Sequence, residues 1–536
     1  MQSPLVTTAI LPVAGAILVS ALFLMPRMRR YAPHLVLPCV ALTLILAVLV
    51  AMLGRRVVVI SLWQPTLLLG SSLVLESRFP LQILILLWTG VTFCTLLFRR
   101  DLNAPVVSLR MVPTLGTLAA GLLALWAANP MTLMVAWTAY DLCVLGVWIL
   151  AGVPARDALR GWMLGGLSTV LVWVGVALSQ NASAIGFWDL IVVGKTQSEL
   201  WRLAAMMRVS LYPFQLHPDS ARESGLLAPL LGQRILGWGL WVRLIDVGQG
   251  ALVLPSWMIV IVAVGLAVSA FLAWSCRSPR HTIVWSSTSL AGAVLLSASL
   301  SARLAMPVLL LGAIGVELGT AILSLGKGGN HSGWWRNVAL VIGCLSLIGI
   351  PPAVGFVTAA SLLGGTVAQG QLVEGVAFFL CQVFIVSGLL RWLRWEQGNM
   401  HQGRWPALSS NIGLGALALA AVGAGLAPLI GYGEAGIPDL RHWFSLPGIS
   451  GWLLWAVAVG LGCVLAWQDR NVRPRLVLLL SALYDLLRLE WLYDATAGAL
   501  GRGIGVLHAT DEVIGGAGAL LWSALAFLVV ALLWRP

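Results

Sequence analysis

Long runs of apolar residues, separated by short polar segments, repeat along the whole chain. A helix that crosses the hydrocarbon core of a bilayer needs about 20 predominantly apolar residues. Sixteen runs approach that length, and we predict that each forms a transmembrane helix. They are residues 5–25, 34–53, 80–98, 111–128, 131–152, 161–180, 199–216, 226–245, 254–275, 281–301, 304–326, 338–364, 374–394, 409–431, 449–467 and 516–534. The pattern therefore predicts an all-α polytopic membrane protein.

Basic residues mainly follow the odd-numbered runs, as Arg99 and Arg100 follow the third and Arg277 and Arg280 follow the ninth. The loops after the even-numbered runs contain almost none. Because cytoplasmic loops carry the excess of Lys and Arg, this alternation supports the count of sixteen and predicts an N-terminus outside the cell. The first run has no basic residue before it, so we expect a retained span rather than a signal peptide.

Two segments depart from this pattern. Between Arg55 and Arg78 the chain has β-branched stretches at residues 57–60 and leucines at 67–69 that are too short to span a membrane, which indicates a hairpin outside it. Residues 470–515 interleave apolar and charged side chains, which is typical of an amphipathic helix along the membrane surface.

Prolines fall at related places in two predicted spans: Pro213 and Pro218 in the seventh, Pro351 and Pro352 in the twelfth. A broken helix is tolerated in a membrane where protein or a water-filled cavity satisfies the freed backbone groups. Breaks five spans apart indicate two inverted repeats of five helices, although packing kinks would also explain the prolines. The predicted organisation is spans one to three with the hairpin (1–110), the first repeat (111–246), the second repeat (254–394), two spans (409–467), the surface segment (470–515) and the last span (516–534).

The composition excludes several classes of protein. Apolar residues make up 59% of the chain and charged residues 10%, whereas soluble domains carry about 25% charge. The seven cysteines include no CxxC pair, and we find neither a P-loop nor a dinucleotide fingerprint. We therefore expect no metal and no cofactor in this chain. The net charge of +12 is attributed to arginines beside spans rather than to a nucleic-acid partner.

Ionisable residues within predicted spans are the candidate functional groups, because each costs roughly 2.5 to 3.5 kcal/mol at the bilayer centre on insertion scales. These are Asp141, Arg208, Arg234 and Glu317. Their signs suggest an Asp141–Arg208 pair, in which a carboxylate that pairs and separates can take up and release a proton.

Each candidate has a plainer alternative. Asp141 could be a hydrogen-bonded structural carboxylate, and Glu317 could face Thr320 or a neighbouring subunit. The arginines, including Arg243, could reach lipid phosphates. His217 and His281 lie near the predicted inner surface, where they are either proton-entry groups or solvated loop histidines.

Three motifs resemble those of the antiporter-like membrane subunits of respiratory complex I and occur in the same order along the chain. These subunits are chains L, M and N of NADH:quinone oxidoreductase, and they have relatives in Mrp-type antiporters. The motifs are RHTIVWSSTSLAG at residues 280–292, LIGIPPAVGF at 347–356 and MRVSLYPF at 207–214. Tyr140-Asp141 stands where the family has Trp-Glu. The resemblance covers residues 60 to 405, and weaker echoes at 489–494 and 511–515 are closest to the L type.

The resemblance implies proton passage through a glutamate on the fifth helix, a lysine on the seventh, a lysine or histidine on the eighth, and a lysine or glutamate on the twelfth. The corresponding residues here are Asp141, Arg208, approximately Arg234, and Ala359. A lysine can relay protons because desolvation lowers its pKa, whereas an arginine keeps its proton. Ala359 cannot titrate, so two positions depart from the family pattern.

The resemblance thus implies a proton-translocating or coupling subunit of a complex I-type NADH:quinone oxidoreductase in a bacterial plasma membrane. Flavin, iron–sulfur clusters and quinone would be bound by partner subunits, and this chain would be a non-redox subunit. The alternatives are a subunit of a Mrp-type cation/proton antiporter, of a membrane-bound hydrogenase or of an inorganic-carbon uptake complex, and a structural subunit whose proton path is lost. A stand-alone transporter of a small solute is a further alternative.

Overall fold

Helices dominate the computed structural model. It describes residues 4–25, 27–28, 31–61, 73–98, 105–178, 188, 194–215, 227–248, 250–301, 304–326, 334–394, 404–430, 445, 448–496, 498–499, 502 and 505. The helices are α1 (Pro4–Leu24), α2 (Ala32–Met52), α3 (Phe79–Leu97), α4 (Pro105–Trp126), α5 (Pro130–Leu150), α6 (Ala155–Ala177), α7 (Lys195–Val209), α8 (Leu227–Val247), α9 (Ser256–Ser275), α10 (Pro279–Leu300), α11 (Ala305–Gly326), α12 (Trp334–Ile348), α13 (Phe356–Gln369), α14 (Leu372–Arg394), α15 (Arg404–Ile430) and α16 (Gly448–Leu487).

The predicted all-α polytopic class is confirmed. Within the described residues, ten helices are long and apolar enough to cross a membrane, and four shorter apolar helices accompany them. The total of sixteen spans stays a prediction, and the last predicted span, 516–534, lies outside the described residues. The predicted twelfth span, 338–364, consists of two helices, α12 and α13.

The break between α12 and α13 contains Pro351 and Pro352. α12 ends at Ile348, and Gly349 follows with φ +81°, a left-handed conformation that glycine adopts without steric cost. α7 likewise ends before Pro213, and its C-cap Ser210 is left-handed with φ 61°. Pro218 lies outside the described residues.

A small antiparallel sheet joins α2 to α3. β1 (Arg56–Ser61) pairs with β2 (Leu73–Ser77), with Arg56 opposite Ser77. The leucines at 67–69, which belong to the predicted hairpin, lie outside the described residues. β2 begins six residues beyond the start of that stretch. Its residues Val74 to Ser77 are all buried, and the strand contacts α4 and α5.

The chain divides into two compact units, Met1–Asn471 and Val472–Pro536. α16 runs without interruption from Gly448 to Leu487, so the predicted span 449–467 and the first part of the predicted surface segment belong to one helix. In the first unit, α8 packs against α3, α4, α7 and α11. This central position brings α8 to both of the buried charge clusters described next.

Candidate functional site

The first charge cluster is an ion pair between α5 and α7. Arg208 donates from Nη1 to Oδ1 of Asp141 at 2.5 Å and from Nη2 to Oδ2 at 2.7 Å. Arg208 is 0% exposed and Asp141 is 6% exposed. A bidentate guanidinium–carboxylate pair is among the strongest and most directional hydrogen-bonded arrangements. Arg208 also lies in the last turn of α7, where the helix dipole favours a positive charge.

Thr169 on α6 completes this cluster. Its hydroxyl accepts a hydrogen bond from Arg208 Nη2 at 2.8 Å and donates to Asp141 Oδ2 at 3.0 Å. The guanidinium carbon of Arg208 lies 4.3 Å from the ring centroid of Trp137, in cation–π contact. Sequence reasoning missed both residues, because a threonine and a tryptophan inside apolar helices give no signal that separates a site residue from a packing residue.

The lack of a side chain at Gly165 on α6 leaves space for the Asp141–Arg208 ion pair. A Cβ atom at this position would lie 2.9 Å from Asp141 Oδ1 and 3.6 Å from Arg208 Nη1, whereas one at Gly166 would meet nothing within 4 Å. We expect Gly165→Ala to lower the thermal unfolding midpoint of the purified chain. Gly166→Ala should leave it unchanged or raise it, because alanine is favoured in helices by about 0.5 to 1 kcal/mol. Equal shifts for the two variants would contradict a tightly fitted Asp141.

The second cluster joins α8 to α11. Arg234 Nε lies 3.1 Å from Glu317 Oε1, and Trp238 Nε1 donates to the same oxygen at 3.0 Å. Arg234 also donates from Nη1 to the Ser287 hydroxyl at 2.7 Å. Glu317 is 0% exposed and Arg234 is 7% exposed. Arg234 therefore faces protein rather than a lipid phosphate. Glu317 contacts α8 rather than Thr320, whose hydroxyl donates to the carbonyl oxygen of Val316.

The other oxygen of Glu317 is distinctive. Oε2 is buried and has no hydrogen-bond partner among the described residues. A buried carboxylate oxygen without a partner is costly, and that cost falls when the oxygen carries a proton. Glu317 can therefore hold a proton on Oε2 while Oε1 keeps its contacts with Arg234 and Trp238. Asp141 differs, because both of its oxygens accept hydrogen bonds from Arg208.

α8 contacts both clusters. A Cβ at Gly237 would meet the Cβ of Arg208, so the two helices touch at the first ion pair. Tyr140, next to Asp141, donates its hydroxyl to the carbonyl of Pro229 near the start of α8 at 2.5 Å. Arg234 lies one turn from Gly237 on the same helix. A movement of α8 would therefore change the surroundings of both pairs together.

Arg243, near the end of α8, is 1% exposed and has a different environment. Its Nη2 lies 2.8 to 3.1 Å from the carbonyl oxygens of Ala124, Leu125 and Ala127 at the end of α4. A guanidinium satisfies such terminal carbonyls and complements the helix dipole. Arg243 thus links α8 to α4 inside the protein, which does not support the alternative that it reaches a lipid phosphate.

The remaining sequence candidates lie apart from the two clusters or outside the described residues. His281 is in the first turn of α10 and is half-buried, about 9 Å along the helix from Ser287. His217 lies outside the described residues. Ala359 is buried in α13 and borders a cavity of about 10 Å³ that also touches Ser346 and Gln382, room for one water molecule. Within the described residues, no group of three or more His, Cys, Asp or Glu could hold a metal ion.

Comparisons with known proteins agree with this architecture. No family model matches the chain. A curated protein of Xanthomonas euvesicatoria pv. vesicatoria (strain 85-10), NADH-quinone oxidoreductase subunit N, is 24% identical over 323 residues. The match covers 52% of this chain and 65% of the relative, so the chain spans less than two thirds of that protein's length.

Three solved structures share the fold. A chain of the Mrp complex from Dietzia sp. DQ12-45-1b superposes with a TM-score of 0.77 at 18% identity, over 100% of this chain and 63% of that one. A chain of the membrane-bound sulfane sulfur reductase, an archaeal respiratory membrane complex, gives 0.70 at 15% identity, over 99% and 100% of the two chains. A chain of respiratory complex I from Thermus thermophilus gives 0.61 at 17% identity, over 78% and 97%.

These matches confirm the resemblance predicted from the motifs, while the narrower likeness to the L type stays a prediction because the curated relative is an N subunit. This chain is an integral, multi-pass membrane protein that is similar in sequence to an NADH-quinone oxidoreductase subunit N and in fold to chains of the Mrp complex and of respiratory complex I.

Proposed function

We propose that this chain is a proton-translocating or coupling membrane subunit of a complex I-type NADH:quinone oxidoreductase assembly. The observation that carries the proposal is the presence of two buried ion pairs, Asp141–Arg208 and Arg234–Glu317: α8 contacts the first and contributes Arg234 to the second. Buried charges in a membrane protein are costly and are characteristic of ion pathways. The similarity to an NADH-quinone oxidoreductase subunit and to chains of multi-subunit complexes also supports it.

In the proposed mechanism the two pairs have different tasks. Arg208 is permanently charged, so the Asp141–Arg208 pair is a gate that opens only when a guanidinium hydrogen bond breaks. Glu317 is the proton-carrying group, because Oε2 can accept a proton while Oε1 stays bonded. A proton on Glu317 removes the negative charge that Arg234 faces, and α8 carries this change to Arg208.

One alternative has a specific observation in its favour. Arg208 and Ala359 stand where the resemblance implies titratable lysines, and Ala359 is 2% exposed beside a cavity of only about 10 Å³. A structural or coupling subunit without a proton path fits these two residues. The same fold also suits a subunit of a Mrp-type cation/proton antiporter, a membrane-bound hydrogenase or an inorganic-carbon uptake complex. In the proposed redox assembly, partner subunits bind the flavin, the iron–sulfur clusters and quinone. The assembly lies in a bacterial plasma membrane, and the N-terminus of this chain lies outside the cell.

The partners test the choice of assembly. We expect the tagged chain, purified from its native membranes in mild detergent, to bring with it iron–sulfur and quinone-site subunits in stoichiometric amounts, identified by mass spectrometry. A set of small cation-antiporter subunits, a soluble carbon-fixing partner or the chain alone would contradict the redox assembly. Each of those results would also identify the alternative that replaces it.

A further inference from the structure

A cavity of about 430 Å³, lined by both charged and apolar residues, lies where α2 ends, α3 begins and α8 ends, beside the β1–β2 hairpin. Its volume is in the range of about 300 to 1,000 Å³ that small-molecule sites occupy. None of the residues that line it belongs to the two buried ion pairs. The polar lining residues are Arg55, Ser77, Arg78, Gln82 and Asp246.

A fixed network of charges forms the wall of this cavity. Glu76, 2% exposed, lies behind the wall and forms ion pairs with Arg55 Nη2 at 2.6 Å and with Arg78 Nε at 2.9 Å. Arg78 Nη1 also contacts Asp246 Oδ2 at 3.2 Å. The cavity therefore presents two guanidinium groups and one carboxylate on an ordered scaffold. Guanidinium groups match phosphate oxygens, and a carboxylate matches an ammonium group.

The cavity lies at the level where membrane spans end. α2 and α3 both have the length and composition of transmembrane helices, and the cavity sits between the last turn of one and the first turn of the other. Next to it, large apolar side chains face outward: Leu49 is 48% exposed, Met52 80% and Phe79 58%. A charged cavity beside an apolar face suits a molecule with a polar head and hydrocarbon tails.

We infer that this cavity binds the head group of a phospholipid that carries both a phosphate and a primary ammonium, as phosphatidylethanolamine does. The phosphate lies against Arg55 and Arg78, and the ammonium donates to Asp246. The acyl chains follow the apolar face of α2 at Leu49 and Met52. A choline head group cannot donate a hydrogen bond to Asp246, and a glycerol head group brings no positive charge to it. The inference does not depend on whether the chain moves protons.

Lipid binding by the purified complex tests this inference. Delipidated complex is titrated with phosphatidylethanolamine, phosphatidylcholine or phosphatidylglycerol of the same acyl chains, and bound lipid is counted by native mass spectrometry. We expect Arg55→Gln to weaken the binding of phosphatidylethanolamine and of phosphatidylglycerol by about tenfold, which is the effect of losing one charge-assisted hydrogen bond. Asp246→Asn should weaken only the binding of phosphatidylethanolamine. Arg277→Gln, at an exposed arginine outside the cavity, is the matched control.

Arg55 is a safe position for this test, because it is 64% exposed and its removal leaves Glu76 paired with Arg78. Equal binding of phosphatidylethanolamine and phosphatidylcholine by the unaltered complex would overturn the inference, as would equal lipid binding by Arg55→Gln and Arg277→Gln. Soluble phosphoethanolamine that binds as tightly as the lipid would also overturn it, since the cavity would then select a soluble zwitterion. If Asp246→Asn fails to fold, the comparison of lipids and the Arg55→Gln variant still decide.

Discussion

We expect the Asp141→Asn variant to lose most of the proton flux of the assembled complex and to be markedly less stable. Asparagine has nearly the shape of aspartate but no negative charge, and Arg208, 0% exposed, would be left as a buried cation without its counter-charge. Removing one partner of a buried ion pair typically costs about 3 to 5 kcal/mol. The thermal unfolding midpoint measures the loss of stability, and a pH-sensitive dye in membrane vesicles measures the flux.

Two further variants separate transport from stability. Asp141→Asn combined with Arg208→Gln removes both charges, and replacing a buried ion pair by neutral groups is often close to neutral for stability. The double variant should therefore regain most of the stability but none of the flux. Thr169→Val removes the bridging hydroxyl and keeps the pair, so it should cost only about 1 kcal/mol. Unchanged flux in an assembled Asp141→Asn complex would rule out the gate.

The fold was largely predictable because a membrane allows so few solutions. Each apolar run must satisfy its backbone internally, so runs of about 20 residues become helices. The division of the predicted twelfth span was only partly visible. Pro351 and Pro352 indicated a break, but the pattern of apolar residues continues through it and does not show where α12 ends and α13 begins.

The sequence predicts which residues form the candidate site better than it predicts which of them contact one another. Apolar runs identify Asp141, Arg208, Arg234 and Glu317 as charges inside spans, but they do not show which way each side chain points around its helix axis. The Asp141–Arg208 pair was suggested by opposite signs alone. The Arg234–Glu317 pair was not anticipated, because its two residues lie on α8 and α11, which are in different predicted repeats.

The Glu317→Gln variant tests the proposed proton carrier directly, and we expect it to abolish flux while the complex still assembles. Glutamine keeps an oxygen that can accept the hydrogen bond from Trp238 Nε1, but its amide cannot take up and release a proton. The change also leaves Arg234 without its counter-charge, although Ser287 still accepts from its guanidinium. Flux is measured in vesicles that hold the assembled complex, driven by its own electron donor.

Three control variants separate the effect of the proton from the effect of the charge. Glu317→Asp keeps a titratable carboxylate on a side chain one methylene shorter, so it should retain part of the flux, whereas the charge-free double variant of Arg234→Gln with Glu317→Gln should retain none. Thr320→Val changes a buried hydroxyl one turn away on α11 that donates to Val316, and it should leave flux unchanged. Flux that survives Glu317→Gln but not Asp141→Asn would make Asp141 the proton carrier. Flux that survives both would mean that this chain conducts no protons and that another subunit moves them.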